Sequence, residues 1–231
     1  MEVVPGLHWV DSIWDTKVYI LQEGDRAIVI DAAMPGRARA VWRHLHGLGY
    51  EPDAVSGIWL THGDIDHMGS VAALKARSGA RVVTHRADVP LVAGIAARQL
   101  GPLPMSGTYQ RLFNLVVRRV LRYQPTEVDH PVEDGDVLGG WQVVHTPGHT
   151  AGSVSFYHRE REIIIVGDAL NHKRGRLGAP PPIFTPDMRQ AHASIQKIAG
   201  LDFDICCFGH GPPLKGNAAQ RVRAFAESLS L

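Results

Sequence analysis

The 231-residue sequence has only two cysteines, Cys206 and Cys207, and they are adjacent. That excludes a disulfide framework. Within the apolar run Asp204-Ile205-Cys206-Cys207-Phe208 the pair reads as small hydrophobic filler of a buried strand. No apolar run approaches the roughly 18 residues needed to cross a bilayer, so no membrane partner is expected. Charge of one sign is also lacking: the formal net charge is +1, which argues against an obligatory polyanionic partner and against nucleic acid in particular. The opening Met1-Glu2-Val3-Val4-Pro5-Gly6 lacks the basic and apolar regions of a signal peptide, so a soluble, cytoplasmic protein is expected. Motifs for a nucleophilic serine or cysteine are missing too.

Histidine, by contrast, is well represented, and one stretch concentrates it: Thr61-His62-Gly63-Asp64-Ile65-Asp66-His67-Met68-Gly69-Ser70. His62, Asp64, Asp66 and His67 are four metal-capable side chains within six residues. The stretch follows Gly57-Ile58-Trp59-Leu60, which reads as a buried strand, and precedes Ser70 to Ala76, which reads as a helix start. In such a strand-loop-helix turn, His62 and Asp64 can reach one ion while Asp66 and His67 reach another. Imidazole with carboxylate suits zinc, iron or manganese. The competing reading is a solvated loop in which Asp66 or Ser70 caps the helix.

The rest of the chain repeats the strand habit. Leu7 to Val10, Lys17 to Leu21 and Ala27 to Asp31 read as strands, the last two joined by a turn at Gln22 to Asp25. A helix is expected from Arg37 to Leu48, with Val41, Leu45 and Leu48 on its apolar face; Asp31 is a candidate cap for it. Further strands are expected at Arg81–Thr84, Trp141–His145, Val154–Tyr157, Ile163–Val166 and Asp204–Phe208. His85, at the end of one of them, reads as a pocket-edge or an ordinary hydrogen-bonded histidine. Helices are expected at Met188–Ala199, announced by Thr185-Pro186-Asp187, and at Ala218–Leu229.

Residues 87–129 break this rhythm with Pro90, Gly94, Gly101, Pro102, Pro104, Gly107 and Pro125. A helix with a broad apolar face is expected around Leu112, Phe113, Leu115, Val116, Val120 and Leu121. Arg111, Arg118, Arg119 and Arg122 lie among them as snorkelling side chains. The region reads as an insertion serving as a lid or a homodimer contact.

His149, Asp168 and His210 each follow an apolar strand and stand beside glycines, as the 62–67 cluster does. Four strand ends thus offer seven metal-capable side chains, which suits two ions in one cleft. The order and spacing of the His62–His67 loop, Thr146-Pro147-Gly148-His149-Thr150, Gly167-Asp168 and Gly209-His210-Gly211 resemble the metallo-β-lactamase superfamily of hydrolases across essentially the whole chain. The generic bacterial branch near glyoxalase II and the lactonases is the most similar. The resemblance implies an α/β fold, a four-layer αββα sandwich formed by a single domain over 1–231. It also implies that His62, Asp64 and His149 hold one metal, that Asp66, His67 and His210 hold a second, and that Asp168 bridges. Asp31 would support the metal loop from behind the ligands.

Where the family usually has a second histidine, this chain has Asp64, which opens the question of metal identity: zinc first, iron or manganese as alternatives. The chemistry implied is hydrolysis of a small-molecule ester, thioester or lactone by a metal-bound hydroxide. Asp66 would orient the hydroxide and pass its proton to the leaving group. The alternative is a mononuclear iron enzyme resembling the sulfur dioxygenases; a phosphodiesterase or nuclease ranks lower. His210 is followed only by residues 211–231, so the flavin domain of the diiron electron-transfer relatives is not expected.

Overall fold

The computed structural model describes residues 1–101, 112, 115 and 124–229. They divide into two compact units. The first takes residues 1–84, 88–98, 112, 115 and 124–131, and the second takes 85–87, 99–101 and 132–229.

The first unit is built on a sheet whose strands stand side by side in chain order: β1 (Glu2–Val4), β2 (Leu7–Trp9), β3 (Tyr19–Glu23), β4 (Arg26–Ile30), β5 (Val55–Trp59), β6 (Arg81–His85) and β7 (His130–Val132). β1 to β4 run antiparallel. From β4 to β6 the pairing is parallel, which requires helical crossovers. Helix α1 (Ala38–Gly47) supplies the first, burying Val41, Trp42 and Leu45. The second crossover holds the short α2 (Ile65–Met68) and then α3 (Val71–Ser78). Between β6 and β7 lies α4 (Val89–Val92). The core joins Val29, Ile58 and Val82 of the sheet with Val41, Leu45, Val71 and Leu74 of the helices. Ser70 ties the two crossovers together: its hydroxyl donates to the Met34 carbonyl at 2.7 Å and accepts the Arg37 N–H, just before α1, at 3.0 Å.

The second unit carries the sheet order β15-β14-β11-β10-β9-β8, with β8 (Val137–Leu138), β9 (Trp141–His145), β10 (Val154–His158), β11 (Ile163–Ile165), β14 (Ile205–Cys207) and β15 (Leu214–Lys215). β9, β10 and β11 form an antiparallel meander, and β11 pairs parallel with β14. Helices α5 (Met188–Ala199) and α6 (Ala218–Ser228) pack on it through Ile195, Ile198 and Val222 against Ile164, Cys206 and Phe208. A separate hairpin pairs β12 (Asn171–Lys173) with β13 (Arg176–Gly178). Cys206 and Cys207 form no disulfide and are buried in β14, as filler should be, and burial beside Cys207 raises the Cys206 thiol well above its usual range.

The expected strands and helices recur within a residue or two, and α5 begins where Asp187 caps it, accepting the Gln190 N–H at 2.8 Å. Three expectations change. The Gln22–Asp25 turn is shorter, because β3 continues to Glu23. The 62–70 stretch is not all loop: Asp64 starts a turn of helix, with its carbonyl accepting the His67 and Met68 N–H groups. Asp31 does not cap α1; its carboxylate is taken up by Thr61 and His67, as described below. Of the helix expected around Leu112–Leu121, only Leu112 and Leu115 are described, both helical and exposed. The remainder of that expectation lies outside the described residues.

Candidate metal centre

Strand direction decides where the candidate ligands gather. In the first unit β4 and β5 are parallel, so Asp31 and Thr61, which follow them, emerge at one edge of the sheet. Asp31 is buried and held at φ 60°, a backbone conformation uncommon for a residue with a side chain. One carboxylate oxygen accepts the Thr61 N–H at 2.8 Å. The other accepts the Thr61 hydroxyl at 2.8 Å and faces His67 Nδ1 at 2.8 Å. That geometry fixes protons. The Thr61 hydroxyl spends its hydrogen on Asp31, so at 3.0 Å from His62 Nδ1 it is the acceptor, and the imidazole donates. His67 likewise donates from Nδ1 to Asp31. Both rings, 4.0 Å apart between centroids and fully buried, present Nε2 as a lone pair when the imidazole is neutral. Those lone pairs face carboxylates: His62 Nε2 lies 3.8 Å from Asp64 Oδ2, and His67 Nε2 lies 3.8 Å from Asp66 Oδ2.

The second unit repeats the arrangement. β9 and β11 both run antiparallel to β10, and β11 is parallel to β14. The loops after β9, β11 and β14 therefore leave the sheet at one edge, carrying His149, Asp168 and His210. Thr185 donates its hydroxyl to the Pro181 carbonyl at 2.9 Å, so it can only accept from His149 Nδ1, 3.3 Å away. In the neutral ring His149 Nε2 is again a lone pair, 3.7 Å from Asp168 Oδ2, and His210 Nε2 lies 3.2 Å from the same oxygen. Two glycines permit these loops. Gly148, at φ 127°, lies so close to the backbone of Ala191 that a Cβ would collide with it. Gly211, at φ 107°, lies closer still to the His172 carbonyl.

With the imidazoles neutral, acceptor faces acceptor at 3.7–3.8 Å, an arrangement that a cation between them relieves. Ligands around a tetrahedral zinc stand about 3.3 Å apart, close to this spacing. The donor set thus fits divalent metal ions, and the candidate ligand groups are drawn from these residues. Each predicted site residue is accounted for. The first unit brings together Asp31, His62, Asp64, Asp66 and His67; the second brings together His149, Asp168 and His210.

Several residues that shape the site escaped the sequence reading. Thr61 and Thr185 set the imidazole protons. Asp88, fully buried, accepts the Gly63 N–H at 2.7 Å and pins the loop that carries His62 and Asp64. Arg98 grips Asp64 through both carboxylate oxygens: Nε donates to Oδ1, and Nη2 donates to Oδ2 at 3.0 Å. Thr61, beside His62, and Asp88, just after β6, had the same strand-end placement as the predicted residues. Arg98 carried no local signal. His85 is hydrogen-bonded, its Nδ1 accepting the Ala87 N–H at 3.2 Å, and its ring stacks on His145, 4.0 Å between centroids at 8°.

The family model of the metallo-beta-lactamase superfamily matches residues 13–210. The chain belongs to that superfamily. It is 30% identical over 250 residues to the probable metallo-hydrolase YflN of Bacillus subtilis, covering 99% of this chain and 93% of the relative. The hydroxyacylglutathione hydrolase of Ectopseudomonas mendocina is 29% identical over 81% of this chain and 58% of its own length. Among solved structures, the metallo-beta-lactamase family protein TTHA1429 of Thermus thermophilus superposes with a TM-score of 0.75 at 22% identity, covering 99% of this chain and 81% of that one. TTHA1623, solved in a di-iron-bound form, gives 0.67 at 26% identity, covering 91% and 94%. The protein is a metal-dependent hydrolase with the α/β fold of this superfamily.

Proposed function

We propose that the protein is a dinuclear hydrolase of small esters, thioesters or lactones. One ion would be held by His62, Asp64 and His149, and the other by Asp66, His67 and His210, with Asp168 shared between them. The observation that carries the reading is the set of Nε2 lone pairs turned toward carboxylates, each fixed by a hydrogen bond on the opposite ring nitrogen. Such backing by a carboxylate or hydroxyl is the usual way a ligating imidazole is oriented. Divalent ions there, zinc first with iron or manganese as alternatives, would supply Lewis acidity and lower the pKa of water.

The residues supply the rest. Asp66 is partly exposed, and its Oδ2 accepts the Thr16 hydroxyl at 3.4 Å. It is the carboxylate available to hold a proton and hand it to a departing alkoxide or thiolate. Esters, thioesters and lactones fit because their leaving groups need little further assistance. The likeness to a hydroxyacylglutathione hydrolase supports the thioester class.

A second reading, a mononuclear iron oxygenase resembling sulfur dioxygenases, draws on Asp64, since a carboxylate in place of an imidazole favours harder ions. A screen of thioesters, lactones, phosphoesters and β-lactams, run on protein of measured metal content beside an oxygen-consumption assay, separates the two. Thioester or lactone turnover without oxygen uptake is expected. Oxygen uptake at one iron per chain would favour the second reading. Asp168→Ala is expected to lower metal content more than any single histidine substitution, because one carboxylate would serve both ions. Full metal content and activity in that variant would rule out the shared ligand.

A further inference from the structure

Asp64 comes with its own counterion. Arg98 donates to both Asp64 oxygens in the forked geometry that suits guanidinium to carboxylate. Both side chains are largely out of solvent, at 12% and 14% exposure. The backbone of Asp64 is fixed by the first turn of α2, yet its carboxylate caps nothing there. It turns to Arg98 instead. The oxygen that accepts Nη2 is the same Oδ2 that lies 3.8 Å from His62 Nε2. Arginine holds its charge under all ordinary conditions. An ion at this position must therefore share a carboxylate whose charge is already met, beside a fixed cation in a poorly screened environment.

The neighbouring ligand set is biased the other way. Asp66 Oδ2 accepts from a neutral hydroxyl, that of Thr16, and His67 has the Asp31 carboxylate behind its Nδ1, which raises the basicity of a ligating imidazole. One set thus carries a cation on its carboxylate, and the other carries a carboxylate behind its histidine.

We propose that Arg98 is a positioning residue that controls metal occupancy: by holding Asp64 it makes the His62–Asp64–His149 ion the weaker of two, so that the enzyme fills stepwise. The inference rests on the ligand sets proposed above. It predicts a protein that keeps one ion tightly and exchanges the other with the supply of metal.

The test is a titration of the metal-free full-length protein with zinc, and separately with manganese, against a competing chromophoric chelator. Wild type should bind in two resolved steps. Arg98→Gln should tighten the weaker step by about tenfold or more, the scale on which residues behind a ligand act, and leave the tighter step where it was. Arg98→Lys, which keeps the charge and loses the fork, should fall between. It also carries the test alone if Arg98→Gln does not fold. A weaker step that is unchanged or loosened in these variants would overturn the proposal, because Arg98 would then be neutral or would be orienting Asp64 for the ion. Asp64→Ala separates this outcome from failure of the ligand assignment. It should abolish the weaker step, and if both steps survive, Asp64 is no ligand whatever Arg98 does.

Discussion

Asp31 shows how a single side chain can organise the chemistry around it. Its left-handed backbone at φ 60° costs about 1 kcal/mol or more, which the surrounding structure must meet. In return its two oxygens fix Thr61 and, through Thr61 and His67, the proton positions on two imidazoles. Position 64 poses the opposite problem. A neutral histidine there would leave the ions more positive, but the Asp64 charge is already met by Arg98. Asp64→His alone therefore adds one net positive charge, whereas Asp64→His with Arg98→Gln replaces a neutral pair by neutral groups. Added positive charge lowers the pKa of water at the ions. The acidic limb of the pH–rate profile should move down in the single variant and return toward wild type in the double. If the limb stays in place in both, Asp64 contributes nothing to the reacting centre.

Strand ends and the loops beyond them set the next level. Gly211 sits where the 209–213 loop crosses β12: His172 donates its N–H to the His210 carbonyl at 3.1 Å, and its ring faces the Pro212 carbonyl at 2.9 Å. Gly211→Ala would strain the φ of 107° and push a methyl group into the His172 carbonyl, at a cost of about 1–3 kcal/mol. A lower melting temperature and loss of the metal proposed for His210 are expected, with far-UV circular dichroism retained. A silent substitution would show that the loop can relax away from β12. The ends of β6 and β9 give a pH effect. Burial, then the neighbouring His145, pushes His85 from its ordinary 6.5 down to about 4, with Arg86 adding to this and Glu133 and Asp134 opposing it. Between those values the unfolded chain takes up a proton that the native His85 refuses. Its stabilising contribution is therefore complete above about pH 6.5 and is lost as the pH falls toward 4. The melting temperature of wild type should accordingly fall relative to that of His85→Phe as the pH is lowered from 7 to 4.5. Parallel curves would mean that His85 titrates normally.

At the scale of the whole molecule, an ion held by the proposed ligands would bind the native chain and not the unfolded one, so metal binding and folding should be linked. An ion held at a hundredfold excess over its dissociation constant adds about 2.7 kcal/mol to native stability. For a chain of this size that corresponds to roughly 5–10 °C in melting temperature. Stripping the protein with a chelator should lower the melting temperature by that order, and zinc should restore it. An unaltered transition would mean that the histidine and carboxylate sets bind no ion of consequence. Among the described residues no helix is long and apolar enough to cross a membrane.

Periodicity and punctuation carried much of this in the sequence. Apolar runs ending in Gly-Asp, Gly-His or Thr-His identified the strand ends, and the order of those motifs carried the family and the candidate ligands. Helix α5 was legible to the residue because Pro186 and Asp187 mark its start and an apolar stripe its length. These features are local, written within a few residues of where they act. What only the tertiary structure decided is whatever depends on groups distant in the chain. Arg98 reaches Asp64 across 34 positions, His67 finds Asp31 across 36 and Thr185 finds His149 across 36. No period or turn signal encodes such pairings, because strand order and direction, not sequence spacing, bring the partners together. The sequence named the metal-capable atoms; the fold determined which nitrogen of each ring keeps its lone pair, and which carboxylate already has a cation.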